Sequence, residues 1–179
     1  LDIVSNGRLE LGLGAGWNQE ECDAYGIYLG TLTERFDRFD EALECIVGLL
    51  TQETTNFSGK YFTLTNARNN PAGVQRPHPP ICIGGNGPKR TLAAVAKWAQ
   101  HWNYAAMDVA GFAEKRAILH EHCARIGRNP AEIRTSVHVV YDAKAGFGAF
   151  VDKAKEFEAA GVDLAIAYLP SPHRADVVE

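Results

Sequence analysis

Pro80-Ile81-Cys82-Ile83-Gly84-Gly85-Asn86-Gly87-Pro88 is the stretch on which the fold turns. Ile81 to Ile83 is short and wholly apolar, as expected of a strand covered on both faces of a parallel sheet. The run breaks into glycines, and Pro88 stands where the first residue of a helix should be, since the N–H it lacks would have no partner there. Leu92, Val95, Ala96 and Ala99 then supply a buried stripe at helical spacing. Strand, glycine turn and helix in that order make the first half of a βαβ unit.

The alternation continues downstream. His101 to Ala105 reads as a strand, Val109 to Ile126 as a helix ended by Gly127, and Thr135 to Tyr141 as another strand. A helix over Gly146 to Ala160 turns Phe147, Phe150, Val151, Ala154 and Phe157 inward, and Asp163 to Leu169 is a last strand after Gly161. Upstream, Arg8 to Leu13 alternates with period two and dissolves into Gly14-Ala15-Gly16-Trp17. Asn18 and Glu21 have capping-box spacing and open a short helix toward Gly26. From Thr33 a longer helix buries Phe36, Phe39, Leu43, Ile46, Val47 and Leu50, leaving Glu34, Arg35, Asp37, Arg38, Glu41 and Glu44 as a solvated face. Between residues 51 and 80 the period changes. Thr54 to Phe57 and Lys60 to Leu64 suggest a hairpin about Ser58-Gly59, and Asn66 to Pro80 an extended loop. Strands alternating with helices of this length predict an α/β fold with right-handed connections and a parallel sheet.

Composition narrows the function. The 179 residues are 46% hydrophobic and 22% charged, with a net charge of -4, which gives no basic footprint for nucleic acid or an anionic membrane. No apolar run approaches the roughly 18 residues of a membrane span, and a cytoplasmic protein is expected. Cys22, Cys45, Cys82 and Cys123 are scattered, with no Cys-x-x-Cys pair and no histidine cluster at ligand spacing, so no metal site is predicted. His120 and His122, two apart on a helix, point to different faces. His78 is a loop residue, and His101 and His138 read as packing residues on strands.

Two glycine-rich loops at the C-terminal ends of strands are where a parallel α/β fold places its ligands. Gly12-Leu13-Gly14-Ala15-Gly16-Trp17 imitates a dinucleotide fingerprint, but tryptophan stands where the third glycine belongs. It serves equally well as a plain chain reversal. Gly84-Gly85-Asn86-Gly87-Pro88-Lys89-Arg90 is more informative, because glycines admit an anion close to the backbone and the following helix adds its positive dipole end. Lys89 and Arg90 are unfavourable cations in a first turn, a cost that a bound phosphate offsets. The other reading makes both residues surface side chains of an ordinary helix, and Lys89 is read that way.

Several motifs in one order carry a resemblance. Ser5-Asn6-Gly7-Arg8-Leu9-Glu10-Leu11-Gly12-Leu13-Gly14-Ala15-Gly16-Trp17-Asn18, Tyr25-Gly26, Glu34-Arg35-Phe36-Asp37-Arg38 and Pro77-His78-Pro79-Pro80-Ile81-Cys82-Ile83-Gly84-Gly85 are similar to the luciferase-like monooxygenase family, and within it to the branch predicted to use the deazaflavin coenzyme F-420. The resemblance implies a TIM (β/α)8 barrel and an oxidoreductase that transfers a hydride, or activates oxygen with FMN, on a small organic substrate. It implies that Ala15, Gly16 and Asn18 line the cofactor and that Gly84, Gly85, Asn86 and Gly87 hold its phosphate or ribityl chain. Trp17 would stand near the ring-side pocket, or serve as a core or lid residue. No residue is assigned as catalytic acid or base.

The departures carry expectations too. The family's Ala-Asp-Gly-Trp becomes Ala99-Gln100-His101-Trp102, and its cation after that strand has no match in Tyr104-Ala105-Ala106-Met107. Strands near Leu9, Ile81, Trp102, Val137 and Leu164 correspond to the fourth to eighth of a barrel that typically takes about 250 residues. Residues 1–179, opening on Leu1 rather than Met, are therefore expected to form a partial barrel domain with residues 51–80 as an insertion. Open strand edges favour self-association into a homo-oligomer, and a non-catalytic part-barrel that pairs with itself or a partner is the alternative function.

Overall fold

A computed structural model describes residues 1–169 and 171. The chain divides into two compact units, residues 1–81 and 82–179.

In the first unit, strand β1 (Leu11–Leu13) is followed by helices α1 (Gln19–Ala24) and α2 (Leu32–Thr51) and by an antiparallel pair, β2 (Thr55–Ser58) and β3 (Thr63–Ala67). The Leu11 amide donates to the carbonyl of Pro80 at 2.8 Å, so the end of the long loop lies against β1. Helix α2 starts on a full capping box. Thr31 Oγ1 accepts from the Glu34 amide at 3.2 Å, and Glu34 accepts from the Thr31 amide at 2.8 Å. Phe39 and Leu43 form its buried stripe.

The face of α2 expected to be solvated is instead a set of anchors. Arg35 Nη1 donates to the Gly16 carbonyl at 2.9 Å, and Arg38 donates to the carbonyls of Tyr28 and Leu29. Glu41 accepts the amides of Lys60 and Tyr61 at 2.8 Å and of Phe62 at 3.0 Å. Burial raises the Glu41 carboxyl pKa, but those amides offset it and leave the carboxyl below the ordinary range. The same contact moves the hairpin bend: with residues 60–62 committed to Glu41, the second strand starts at Thr63 rather than Lys60. At the other end of the loop, Asp2 accepts the Val74 amide at 2.7 Å and the Gln75 amide at 3.0 Å.

The second unit is a parallel sheet in the order β4 (Ile81–Gly84), β5 (His101–Tyr104), β6 (Arg134–Val140), β7 (Leu164–Tyr168), with α3 (Thr91–Trp98), α4 (Val109–Arg125) and α5 (Gly146–Ala159) as the connections. Trp102 and Phe112 stack at 5.5 Å, Tyr104 meets both edge-on, and Phe112 meets Phe157 at 6.5 Å. This aromatic core joins the helix-facing side of β5 to α4 and α5. Phe157 is buried as the helical pattern predicts, but Phe147, in a first turn of α5 that lies at the surface, is 67% exposed and, among the described residues, stacks on Phe150.

Arg128 closes the far end of α3. Its guanidinium donates to the carbonyls of Val95 at 3.3 Å, Ala96 at 2.8 Å and Ala99 at 2.6 Å, at the helix end where carbonyls run out of intrahelical partners. All five strands expected from the sequence are present. No helix of the described residues is long and apolar enough to cross a membrane.

Candidate functional site

Gly84, Gly85, Asn86 and Gly87 form one loop at the C-terminal end of β4. Three hydrogen bonds from β5 and the residue after it fix this loop. The Gly85 amide donates to the Asn103 carbonyl at 3.1 Å, Trp102 Nε1 donates to the Gly85 carbonyl at 2.8 Å, and the Ala105 amide donates to Asn86 Oδ1 at 2.9 Å. The Asn86 side-chain carbonyl is therefore committed to the scaffold, leaving its NH2 group as a donor. Gly85 has φ +119, which L side chains rarely adopt, and a Cβ on Gly87 would come within 2.7 Å of Thr91 Oγ1. A Cβ on Gly84 would meet nothing within 4 Å.

The helix behind the loop begins later than Pro88. Residues 88–90 form a turn, α3 starts at Thr91, and Arg90 at the N-cap makes no side-chain capping bond. Among the described residues, the amides of Asn86 and Gly87 donate no hydrogen bond. Open glycine-loop amides before an uncapped helix start are groups able to donate to an anion. Lys89 is exposed, as a surface residue would be.

The loop after β1 belongs to the other unit. Gly16 has φ +80, and a Cβ there would lie 3.3 Å from Leu29 Cδ1. Ala15 is half-buried beside it. Asn18 Oδ1 accepts the Glu21 amide at 3.1 Å and so caps α1, the role its spacing predicts. Trp17 is 82% exposed and takes no part in the core of the described residues.

Sequence reasoning passes over Trp102, Asn103 and Arg35 as supports of these loops. The aromatic at the second position of β5 is visible in the sequence, but only the fold shows the acceptor of its indole N–H. His101 is buried, with Nε2 2.7 Å from Ser136 Oγ, and Asn103 Nδ2 donates to the same oxygen at 2.8 Å. His78 Nδ1 lies 2.7 Å from the Pro79 carbonyl, within its own loop. His122 Nε2 lies 2.8 Å from the Pro88 carbonyl, whereas burial, with Arg116 adding to it, lowers the pKa of His120. Tyr104 Oη donates to Asp108 Oδ2 at 3.0 Å. Burial, then this bond, push the Tyr104 phenol up to about 12, while the Gly111 amide and Tyr104 hold Asp108 below the usual carboxylate range.

A cleft of about 670 Å3 lies at the opposite end of β6 and β7, lined by Arg116, Arg134, Thr135 and Asp163 among others. Much of its polar lining is already paired: Arg116 donates to the Ala160 carbonyl at 2.8 Å, and Asp163 accepts from the amide and hydroxyl of Thr135.

With that geometry in place, comparison decides the family. The sequence model of the luciferase-like monooxygenases matches residues 1–166. The chain belongs to the luciferase-like monooxygenase family. An uncharacterized protein of Mycobacterium bovis is 31% identical over 129 residues, 72% of this chain and 44% of its own length. An FMNH(2)-dependent dimethylsulfone monooxygenase of Pseudomonas putida is 26% identical over 136 residues, covering 72% of this chain and 37% of that protein. Among solved structures, an F-420-dependent secondary alcohol dehydrogenase in complex with an F-420–acetone adduct superposes with a TM-score of 0.80 at 16% identity, over 95% of this chain and 66% of that one. DmoA from Hyphomicrobium sulfonivorans gives 0.66 at 16% identity, over 89% and 40%. The chain thus spans less than half the length of these two curated relatives. As a luciferase-like monooxygenase it has the α/β fold of part of a TIM barrel, and its family is one of oxidoreductases with both deazaflavin- and flavin-dependent neighbours.

Proposed function

We propose that this chain supplies the cofactor-phosphate half of an oxidoreductase that uses coenzyme F-420, with FMN as the alternative, on a small organic substrate. The observation that carries the reading is the Gly84–Gly87 loop: the open amides of Asn86 and Gly87 stand ahead of an uncapped α3, at the C-terminal end of a parallel strand. The residues fit a phosphorylated group, because Gly87 leaves no room for a Cβ beside Thr91 and Gly85 requires a positive φ. In this reading Gly84, Gly85, Asn86 and Gly87 hold the phosphate or ribityl chain, and Ala15, Gly16 and Asn18 line the cofactor from their own loop. When bound, the cofactor supplies the hydride chemistry or, as reduced FMN, the reaction with oxygen.

The chain's part is to bind and orient. Trp102 and Asn103 lock the loop from β5, and Arg35 holds the Gly16 carbonyl. A fluorescence titration of the protein with F-420 and, separately, with FMN tests the reading. Saturable binding of one, competed by inorganic phosphate, is expected; no saturable binding of either would overturn it.

A further inference from the structure

Parallel strands alternate their side chains between two faces. On β5 and β6 the helix-facing side carries Trp102, Tyr104, Thr135, Val137 and Val139, all buried. The opposite face carries His101, Asn103, Ser136 and His138. Parallel sheets are usually apolar on both sides, so a face made of hydrogen-bonding groups departs from the rule.

The lower part of this polar column is satisfied internally. Ser136 is fully buried between His101 at 2.7 Å and Asn103 at 2.8 Å. The upper part is not. His138 is half-buried, and its ring nitrogens take no hydrogen bond among the described residues. Its ring stands edge-on to Tyr168 at 5.9 Å, with Ile166 opposite it on β7 and Val140 opposite Tyr168.

Height in the sheet places His138 with the glycine loop. Tyr104 pairs with Val137, so His138 is level with Ala105, whose amide holds Asn86. With strands about 4.8 Å apart, His138 on β6 lies two strand spacings, roughly 10 Å, from the β4 position. The charge on this face is equally definite. Along the described β5, β6 and β7 its one fixed cation is Arg134, four residues or roughly 13 Å below His138 toward the N-terminal end.

We propose that His138 and Tyr168 form the substrate-facing wall of the site, and that the substrate is a small neutral molecule bearing a carbonyl or hydroxyl oxygen. His138 hydrogen-bonds that oxygen, and the Tyr168 ring, Ile166 and Val140 take the apolar part. Along the described β5, β6 and β7 an anionic substrate would find no fixed cation at this level. The inference rests on the oxidoreductase reading and extends it to the substrate class.

The test uses the chain with isotope-labelled histidine ring nitrogens, in the presence of F-420 or FMN, titrated with cyclohexanone and, in parallel, with pyruvate. The His138 signals, assigned with His138→Gln, are expected to shift saturably with cyclohexanone and not with pyruvate. Ketone affinity should fall about fivefold or more in His138→Leu and recover in part in His138→Gln, with cofactor affinity unchanged in both. Bound cofactor with an unmoved His138 signal, or an equal response to pyruvate, overturns this inference alone. Failure of cofactor fluorescence to respond in the same samples overturns the oxidoreductase reading and this one with it.

Discussion

The indole N–H of Trp102 donates to the Gly85 carbonyl at 2.8 Å, from a side chain with no exposed surface. Core and loop are thereby one construction: the ring that stacks on Phe112 also fixes a glycine whose φ is +119. Trp102→Phe keeps an aromatic in the core but leaves that carbonyl without its donor, a loss of about 1–2 kcal/mol. Cofactor affinity is expected to fall roughly three- to tenfold while cooperative melting is retained. Fluorescence titration beside thermal unfolding checks this, and unchanged affinity in a folded variant would remove Trp102 from the site.

The glycines of the loop separate strain from ligand contact. Gly84 has open space where a methyl would stand and no positive φ, so Gly84→Ala should leave stability within about 0.5 kcal/mol. Gly85→Val adds both a disfavoured φ and a contact at 3.3 Å with Thr91 Cγ2, and should cost about 1–3 kcal/mol even without ligand. If the backbone meets a phosphate, Gly84→Ala weakens binding without the stability loss. Equal stability loss in both variants would show that Gly84 does not face open space in the folded loop.

Tyr104 and Asp108 predict two edges of pH stability. Asp108 titrates below the ordinary carboxylate range when folded, so its contribution is present above that range and is lost as pH falls through the depressed value. Tyr104 is raised to about 12, so its contribution is present below the ordinary phenol value of about 10 and is lost as pH climbs toward about 12. Asp108→Asn should flatten the acid side of a melting-temperature profile and bring the Tyr104 absorbance titration to lower pH. A phenol titration that does not move would contradict the pairing.

Glu41 gives the corresponding test in the first unit. Glu41→Ala frees the amides of Lys60, Tyr61 and Phe62, and their hydrogen exchange should accelerate relative to β3. Because the folded carboxyl titrates below its ordinary range, wild-type protection of these amides should persist at neutral pH and fade as pH drops through that value. Protection independent of both the substitution and acid would show that the bend holds itself.

Much of the fold is legible in residue types and spacing. The apolar run Ile81 to Ile83, the strand–glycine–helix order and the Asn18 cap depend on local chemistry, and each reappears in the fold. What spacing does not reveal is settled by partners distant in sequence. Lys60 to Phe62 look like strand residues until Glu41, about twenty positions back, takes their amides. Arg35 and Arg38 look like solvated charges until the chain folds their targets, Gly16 and Leu29, beneath them. Thr31-x-x-Glu34 is the exception, a capping box that local spacing does reveal, shortly before the expected start at Thr33. At the glycine loop the sequence locates the turn but not its supports, because an indole N–H has no periodicity to betray its acceptor.

Helix α3 is electrically lopsided. Arg128 sets a permanent cation on its last carbonyls, the end where the helix dipole favours one, while the first turn has neither an acidic residue nor a side-chain cap. An anion arriving at the glycine loop therefore completes a polarity that is already half built. Loading the loop should therefore raise the hydrogen-exchange protection of the first turn of α3, the end that is still without its countercharge.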